Sequence, residues 1–187
     1  VLSDEESREK YTNKHIHGIK DEEELAMEKV QQILAAEAAF KAGMTVLNNG
    51  KITEALQHFK KAVDGYPEEA EYVAYYGYTL FRANQGGDRG RATEGLDMIE
   101  KAIELKSMAP KPYHLLGKAH LALGDGKVAK KWIRKSLKLQ PDNPEAVRDY
   151  RRAEAMAKAG KPPSAEATAA EDKSKGGLSG FFGRFRK

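Results

Sequence analysis

Apolar residues recur at helical spacing near the N-terminal end of this chain, directly after a cluster of acidic residues. Asp21 and three glutamates precede Leu25, Val30, Ile33 and Leu34. Acidic residues favour the first turn of a helix because they interact with the positive end of its dipole. The pattern predicts one helix that begins near residue 21 and runs beyond residue 38 into the segments that follow.

A second amphipathic pattern begins at Pro144 and continues to about residue 158. Val147, Tyr150 and Ala153 form an apolar stripe, and arginines and lysines occupy the other faces. This spacing predicts a helix that packs by its stripe against the preceding helix. The residues expected beneath it are Trp132 and Leu137.

Between these two regions, glycines recur at nearly regular intervals. Gly43 and Gly77 are 34 residues apart, and Gly77 and Gly117 are 40 residues apart. Pro67 and Pro141 follow the first and third of the units so defined, and proline ends a helix because it cannot continue the hydrogen-bond pattern. Such a period is typical of helix–turn–helix repeats, which stack because one unit cannot bury its apolar face alone.

The third unit carries the most complete pattern. It consists of Tyr113, Leu116, Gly117, His120, Gly124, Ala129, Ile133, Ser136 and Pro141. These residues resemble the tetratricopeptide repeat at its expected offsets, and the resemblance extends over about residues 36–141. It implies an all-α fold: a tetratricopeptide-repeat superhelix of three helical hairpins plus a capping helix, with flexible ends.

Small residues in each unit predict where its two helices cross. The pairs are Gly43 with Ala55, Gly77 with Gly95, and Gly117 with Ala129. Small side chains let two helix axes approach closely, while large residues fill the remaining space.

The second unit contains six extra residues, which we place in the segment 84–90 between its two helices. Three glycines in this segment, Gly86, Gly87 and Gly90, predict a flexible loop. Two interpretations stay open. The segment is either a tolerated loop expansion or a binding loop at the edge of the groove, since long loops often carry function.

The first eleven residues, VLSDEESREKY, are similar to the last helix of a J-domain. Leu2, Arg8 and Tyr11 stand at the family positions, although a threonine follows where an aspartate is usual. Ser3 is the expected N-cap, and Glu6 completes a capping box. The resemblance implies a remnant of a longer bacterial J-domain–tetratricopeptide protein with a chaperone link. The His-Pro-Asp tripeptide through which J-domains stimulate a chaperone does not occur in this sequence.

The expected organisation has three parts. They are a J-domain-like remnant and linker (1–20), a tetratricopeptide-repeat domain (21–158) and a disordered basic tail (159–187). The expected repeats cover about residues 36–69, 70–109 and 110–143, followed by the capping helix 144–158.

In this family, the first helix of each unit lines a concave groove. The residues at the corresponding positions are Phe40, Met44, Tyr75, Tyr78, Arg82, Lys111, His114, Lys118, Arg148 and Arg152. This groove passes from aromatic to basic, so the expected partner is a protein or peptide with apolar and acidic residues. Because aromatic residues and arginine dominate interface energetics, the predicted hot spots are Phe40, Tyr75, Tyr78 and Arg148. For each tyrosine, packing in the core is an equal alternative.

The carboxylate clamp of this family grips the acidic C-termini of heat-shock chaperones by lysine and asparagine side chains. Lys111 fits that pattern in part, but Phe40, Met44 and Tyr78 stand where lysine and asparagine are usual. We therefore expect that a clamp of that kind is absent.

The C-terminal segment combines aromatic and basic residues. Phe181, Phe182 and Phe185 are interleaved with Arg184 and Arg186. This composition suits peripheral contact with an anionic membrane or docking in a partner's groove, and it equally suits a solubilising basic end. The segment is too short to span a bilayer.

Charge is unevenly distributed along the chain. Residues 1–39 carry five more acidic than basic residues, and residues 110–140 carry seven more basic than acidic residues. The basic run between Lys127 and Lys138 raises nucleic-acid binding, together with anionic-membrane binding, as an alternative function. A solvated charged face is favoured, because Trp132 is the single aromatic residue in that run.

Catalytic signatures are missing from the sequence. No phosphate-binding loop, catalytic triad or metal-ligand spacing occurs, and His15 with His17 supplies too few ligands for a metal site. We therefore expect a non-catalytic interaction scaffold that needs no cofactor. The absence of cysteine is compatible with a reducing cytoplasm, which is the expected location.

Overall fold

The computed structural model describes residues 4–15 and 20–159, apart from the side chains of Asn13 and His15. Within these residues the chain forms eight α-helices and no β-strand. They are α1 (Glu5–His15), α2 (Glu22–Asn48), α3 (Ile52–Gly65), α4 (Ala70–Asn84), α5 (Arg89–Leu105), α6 (Pro110–Leu123), α7 (Gly126–Leu139) and α8 (Pro144–Lys158).

Helices α2 to α7 form three consecutive hairpins, and α8 packs on the last of them. The most extensive contacts join α4 to α5, α2 to α3 and α6 to α7, and α8 packs mainly on α7. Helix α4 also contacts α3 and α6, which joins neighbouring hairpins into one stack. The predicted architecture of three hairpins plus a capping helix is confirmed.

The first hairpin contains the long helix that the acidic first turn predicted. Helix α2 has 27 residues, almost twice the length of α3. The Asp21 carboxylate accepts a hydrogen bond from the backbone N–H of Glu24 at 2.8 Å and so caps the helix. The end of α3, at Gly65, packs against Gln32 and Ala36. The N-terminal turns of α2 therefore extend beyond α3.

Helix α1 is capped differently from the prediction. Ser3 lies outside the described residues, and the Asp4 carboxylate accepts a hydrogen bond from the backbone N–H of Ser7 at 2.6 Å. Glu6 forms an ion pair with Lys10 at 3.1 Å. The helix that resembles the end of a J-domain is thus present as a helix, with Asp4 as its cap.

The predicted crossings at Gly77 and Gly95 are confirmed. A Cβ atom on Gly77 would lie 2.6 Å from the carbonyl oxygen of Gly95, and one on Gly95 would lie 2.5 Å from the backbone nitrogen of Phe81. Gly117 has the same role in the third hairpin, where an added Cβ would lie 2.4 Å from the side chain of Ile133 and 3.2 Å from the carbonyl oxygen of the predicted partner Ala129. Only glycine permits these approaches.

The crossing in the first hairpin differs from the prediction. An added Cβ on Gly43 would lie 2.8 Å from the ring of Phe59, which, instead of Ala55, is its nearest neighbour on α3. Gly43 therefore makes room for an aromatic ring one helical turn further along.

The predicted loop 84–90 is shorter in the structure, because Asn84, Arg89 and Gly90 belong to helices. Helix α5 is three residues longer than α7, and α4 is one residue longer than α6. The Asp88 carboxylate accepts a hydrogen bond from the backbone N–H of Arg91 at 3.0 Å, so α5 begins at Arg89. The connection comprises residues 85–88, because most of the insertion was absorbed by lengthening the hairpin.

The packed face of the capping helix overlaps the predicted stripe only in part. Ala146, Asp149 and Ala153 are buried, whereas Val147 and Tyr150 are half-buried. Of the predicted stripe, Ala153 lies in the cluster between α7 and α8, and Tyr150 packs against that cluster. Small residues face α7 because the two helices are close, and a Cβ atom on Gly126 would lie 2.6 Å from the backbone nitrogen of Ala157.

The two residues expected beneath α8 have different positions. Leu137 packs in the cluster between α7 and α8, as predicted. Trp132 instead stacks on Tyr113, with ring centroids 6.1 Å apart, and packs against the larger core of the three hairpins.

Candidate functional site

The predicted groove residues separate into two groups, the first of which is aromatic. The ring centroid of Phe40 lies 4.6 Å from that of Tyr72, 5.5 Å from that of Phe59 and 5.4 Å from that of Tyr75. We call these four residues the aromatic group. Such pairs add about 0.5–1.5 kcal/mol each beyond the burial of their area. Met44 is half-buried against the same core, so the group joins α2, α3 and α4.

Tyr75 and Tyr78 were predicted either to contact a partner or to pack in the core. Both are buried, so the structure supports packing. Their exposed fractions are 6% and 5%. The ammonium group of Lys111 lies 6.0 Å from the ring centroid of Tyr75, and that of Lys118 lies 5.6 Å from the ring centroid of Tyr78. Burial raises the pKa of the Tyr75 phenol. The prediction that both tyrosines are exposed hot spots is corrected on this point, because lysines of the next hairpin cover their rings.

The second group surrounds an open pocket of about 380 Å³, which we call the basic pocket. Its lining residues are Tyr78, Arg82, Gln85, Lys118, Leu121, Ala122, Asp149 and Arg152. They come from α4, α6 and α8 and from the turn after α4, so the first helices of successive units meet here. Arg82 is oriented by a hydrogen bond from its Nη1 to the hydroxyl of Tyr78 at 3.1 Å.

Two acidic residues of α8, which the sequence analysis missed, lie beside these cations. The Lys118 ammonium donates to the Glu145 carboxylate at 2.5 Å. Asp149 is bonded to the buried ring of His114, with Nε2 and Oδ2 2.9 Å apart. The predicted groove contact His114 is therefore buried at 1% exposure and binds within the protein. Residues 145, 149 and 152 share one helical face, which is the signal that identifies this set.

These contacts stabilise both carboxylates in their charged form. Burial alone would raise the pKa of Glu145, but the hydrogen bond and charge of Lys118 hold it below its usual range. For Asp149, burial is likewise outweighed by the hydrogen bond from His114 and the charges nearby, and its pKa is lowered. The basic pocket therefore contains fixed negative charge as well as positive charge.

The two arginines predicted on α8 differ in position. Arg152 lines the basic pocket. The Arg148 side chain is 75% exposed, and its Nε lies 4.0 Å from an oxygen of Asp149 on the side away from His114. Of the two arginines, only Arg152 lines the basic pocket together with Arg82 and Lys118.

One cluster in the described chain has the composition of a metal site. Single ligand atoms of His114, Glu145 and Asp149 lie within 4.8 Å of one another. Lys118 already pairs with Glu145, and further cations border the pocket, so the local charge opposes a bound cation. We assign these contacts to an ion-pair network. The predicted weak pair His15 and His17 lies outside the described side chains.

Lys111 lines a second cleft, of about 530 Å³, at the ends of the hairpins. The cleft is bordered by Glu69, Glu71, Lys106, Met108, Ala109, Pro110, Lys111, Gln140, Asp142, Asn143 and Pro144. Burial raises the pKa of Glu71, opposed by the charge of Lys111. Lys111 therefore belongs to this cleft, away from the basic pocket.

The basic face of α7 is engaged in part within the protein. Lys130 forms an ion pair with Glu154 at 2.8 Å, and Lys135 lies 4.3 Å from the ring centroid of Trp132. Burial lowers the pKa of Lys135, with Lys131 adding to the effect. Trp132 is thus covered by lysines and packed on Tyr113, an arrangement that does not favour stacking on a base.

The predicted tail residues Phe181, Phe182, Arg184, Phe185 and Arg186 lie outside the described residues. Among the helices that are described, none combines the length and the apolar composition that crossing a membrane requires.

Comparisons with known proteins place the fold. A family model for the tetratricopeptide repeat matches residues 110–143, the third hairpin. The chain is 34% identical over 108 residues to the "Hsp70-Hsp90 organizing protein" of Triticum aestivum, covering 58% of this chain and 18% of that protein. It is 27% identical over 103 residues to "DnaJ homolog subfamily C member 7" of Homo sapiens, covering 55% and 20%. The chain thus spans about a fifth of these curated relatives.

A solved structure resembles the hairpin stack. It is the first tetratricopeptide-repeat domain of Spaghetti (RPAP3) bound to the HSP90 peptide SRMEEVD, with a TM-score of 0.53 and 25% identity. The match covers 67% of this chain and 98% of that chain. The fold is therefore an all-α tetratricopeptide-repeat superhelix.

Proposed function

We propose that this chain is a non-catalytic scaffold that binds a partner protein by an acidic segment, on the surface formed by the first helices of its units. Arg82, Lys118 and Arg152 hold a carboxylate of that segment in the basic pocket. Apolar residues of the segment contact the half-buried Phe40 and Met44 further along the groove. No step of this function requires a cofactor.

The observation that carries the proposal is the meeting of three cations from three helices around one open pocket. Hydrogen bonds between charged groups are about twice as strong as neutral ones, and arginine binds carboxylates in a bidentate geometry. Similarity to a repeat domain that was solved with the peptide SRMEEVD supports the choice of an acidic ligand.

The basic pocket overlaps the expected position of the carboxylate clamp only at Tyr78, which lines it. That clamp would use the positions of Phe40, Met44 and Tyr78, which here are aromatic or apolar. The basic pocket lies between α4, α6 and α8, nearer the end of the stack. We therefore propose a carboxylate site that is displaced toward the capping helix.

The test is fluorescence anisotropy with labelled SRMEEVD as the probe, using the parent chain and two exposed-arginine variants. Arg152→Gln removes a pocket cation, and we expect affinity to fall by about tenfold, which corresponds to about 1.4 kcal/mol for one charged hydrogen bond. Arg148→Gln is the matched control, because Arg148 is a neighbouring arginine that does not line the pocket. It should bind like the parent.

Equal losses in the two variants would show general charge attraction and reject the pocket. Failure of the parent to bind this or other acidic peptides would reject the function. If affinity for DNA or anionic vesicles exceeds that for the peptide and falls steeply with salt, the alternative function through α7 and the tail is favoured.

We further propose that this chain forms part of a larger, cytoplasmic, J-domain-containing bacterial protein. The helix α1 and the similarity to a DnaJ homologue support this. Sequencing the coding region upstream of Val1 tests it, and a J-domain with a His-Pro-Asp tripeptide is the expected result. A different upstream module would reject it.

A further inference from the structure

The N-terminal turns of α2 present large apolar side chains to solvent. Leu25, Met27, Val30 and Leu34 have exposed fractions of 53%, 56%, 52% and 59%. Among the described residues, only three other large apolar side chains are exposed, which are Tyr11 and the neighbouring Leu105 and Met108. Met27, Val30 and Leu34 are spaced by three and four residues, so they share one helix face.

This apolar face is bordered by acidic residues. Glu22, Glu23, Glu24 and Glu28 lie in the same turns. Glu24 and Glu28 pair with Lys14 and Lys20, so Glu22 and Glu23 contribute most of the net negative charge. The last residue of α3, Gly65, packs beside Gln32 and Ala36 of α2. Most of the residues from Leu25 to Leu34 precede this point, so α3 does not cover them. We call the residues 22–34 the α2 patch. A contiguous exposed apolar patch with a polar border is typical of an interaction site.

The chain contains one segment with the opposite character. Residues 176–187 include Phe181, Phe182 and Phe185 together with three basic residues and no acidic side chain. The helices nearest to the start of the tail, α7 and α8, are themselves rich in lysine and arginine, so they repel it. At its own end of the stack, the segment meets mainly basic helices. The α2 patch, at the other end, offers both an apolar surface and negative charge.

We propose that the segment 176–187 binds the α2 patch of the same chain. The phenylalanine rings cover Met27, Val30 and Leu34, and the basic side chains pair with Glu22 and Glu23 in the first turn of the same helix. Binding would cover the patch and join the two ends of the superhelix.

The connecting residues are long enough for this contact. Residues 160–175 span up to about 55 Å when extended. Between α2 and α8 lie three spacings of neighbouring first helices, each about 8–10 Å, which together amount to about 30 Å. Because the tail follows the last turn of α8 and the patch lies in the first turns of α2, about 20 helical residues, or about 30 Å, also separate them along the axes. The combined distance of about 40–45 Å is within reach of the extended connection, so binding within one chain is geometrically possible.

The test is paramagnetic relaxation in the full chain. Because the sequence contains no cysteine, Gly183→Cys gives a single position for a nitroxide label. We expect loss of amide signal intensity confined to the turns around Leu25 to Leu34. The variant Val30→Glu/Leu34→Glu should restore these intensities, whereas Leu105→Glu/Met108→Glu, which changes exposed apolar residues elsewhere, should not.

Several outcomes would overturn the proposal. Signal loss elsewhere, no loss, or loss that persists in Val30→Glu/Leu34→Glu would exclude the α2 patch as the binding site. A mixture of nitroxide-labelled chains with isotope-labelled, nitroxide-free chains should show no loss. Signal loss in that mixture would assign the contact to a second copy. A tail that binds phosphatidylserine vesicles and leaves the patch unaffected would be a membrane contact instead.

Discussion

The aromatic group and the basic pocket lie in the same stack of helices, yet they have different physical roles. In the aromatic group, rings from three helices pack on one another and exclude water. In the basic pocket, Arg82, Lys118 and Arg152 stay at an open surface, because a charged side chain cannot be buried without a partner at acceptable cost. The stack therefore gains stability from its first hairpins and offers the proposed carboxylate site near the capping helix.

The largest expected effect breaks the aromatic group. Phe59 is fully buried between Phe40 and Tyr75. Phe59→Ala should lower the free energy of unfolding by about 3–5 kcal/mol, through lost burial and the cavity that remains. Urea unfolding measures this change. If the two groups have separate roles, peptide affinity per folded molecule should match that of the parent, and a large loss of affinity would contradict the comparison.

The crossing of α4 and α5 at Gly77 supports the helix that carries residues of both the aromatic group and the basic pocket. Gly77 lies on α4 between Tyr75 and Tyr78, and an added Cβ would meet the backbone of α5 at 2.6 Å. Backbone atoms cannot move aside, so Gly77→Ala should cost about 1–3 kcal/mol of stability. Thermal unfolding measures it, with Gly86→Ala as the control because no atom lies within 4 Å of its added Cβ. Similar melting temperatures for the two variants would show that the crossing is not tight.

His120, in the same hairpin as Lys118, makes the stability of the protein depend on pH. Burial lowers the pKa of His120 to about 4, opposed by the charge of Asp125. As the pH falls below the unfolded pKa of 6.5, the unfolded state binds the proton first, so stability is lost progressively until about pH 4. Between pH 7 and pH 5 the loss should be about 2 kcal/mol.

Urea unfolding of the parent and His120→Gln at pH 7 and pH 5 measures this contribution. The variant should show a smaller difference between the two pH values, because glutamine does not titrate. An equal pH dependence in both proteins would assign the loss to other groups.

The smallest expected effect sharpens the comparison at the basic pocket. Glu145 pairs with Lys118 and so competes with the carboxylate of an incoming peptide. Partly exposed ion pairs contribute about 0.2–1 kcal/mol, so Glu145→Gln should tighten binding of the SRMEEVD peptide by up to about fivefold. Anisotropy titrations measure this. Glu154→Gln is the control, because it removes a similar carboxylate of α8 that pairs with Lys130. Weaker binding by Glu145→Gln would show that the ion pair positions Lys118 for the ligand.

Much of the fold was predictable because its signals are local or periodic. The spacing of Gly77 and Gly117 defined the hairpins, and Asp21 marked the start of α2. The loop in the second unit was predicted too long, because glycines favour loops by local preference, although Gly86 and Gly87 do lie in the connection. In the structure, Gly90 lies in the first turn of α5, which Asp88 caps.

The site was predictable in its residue types and less so in its contacts. Arg82, Lys118 and Arg152 were predicted, and the structure brings them together around one pocket. His114 was predicted at the surface, and Tyr75 either there or in the core. Both are buried, because neighbouring helices supply Asp149 and Phe40 as partners. Glu145 was missed because its partner Lys118 is 27 residues away in sequence.

The sequence by itself determined the helices, their order and the points where they cross, because those properties depend on side-chain size, spacing and local capping. Only the tertiary structure decided which aromatic rings are sealed and which charges pair. Those outcomes depend on the faces that separate hairpins turn toward each other: Asp149 of α8 contacts His114 of α6, whereas the next residue, Tyr150, packs against the cluster between α7 and α8. The contact with His114 fixes a carboxylate beside the cations and gives the basic pocket its mixed charge.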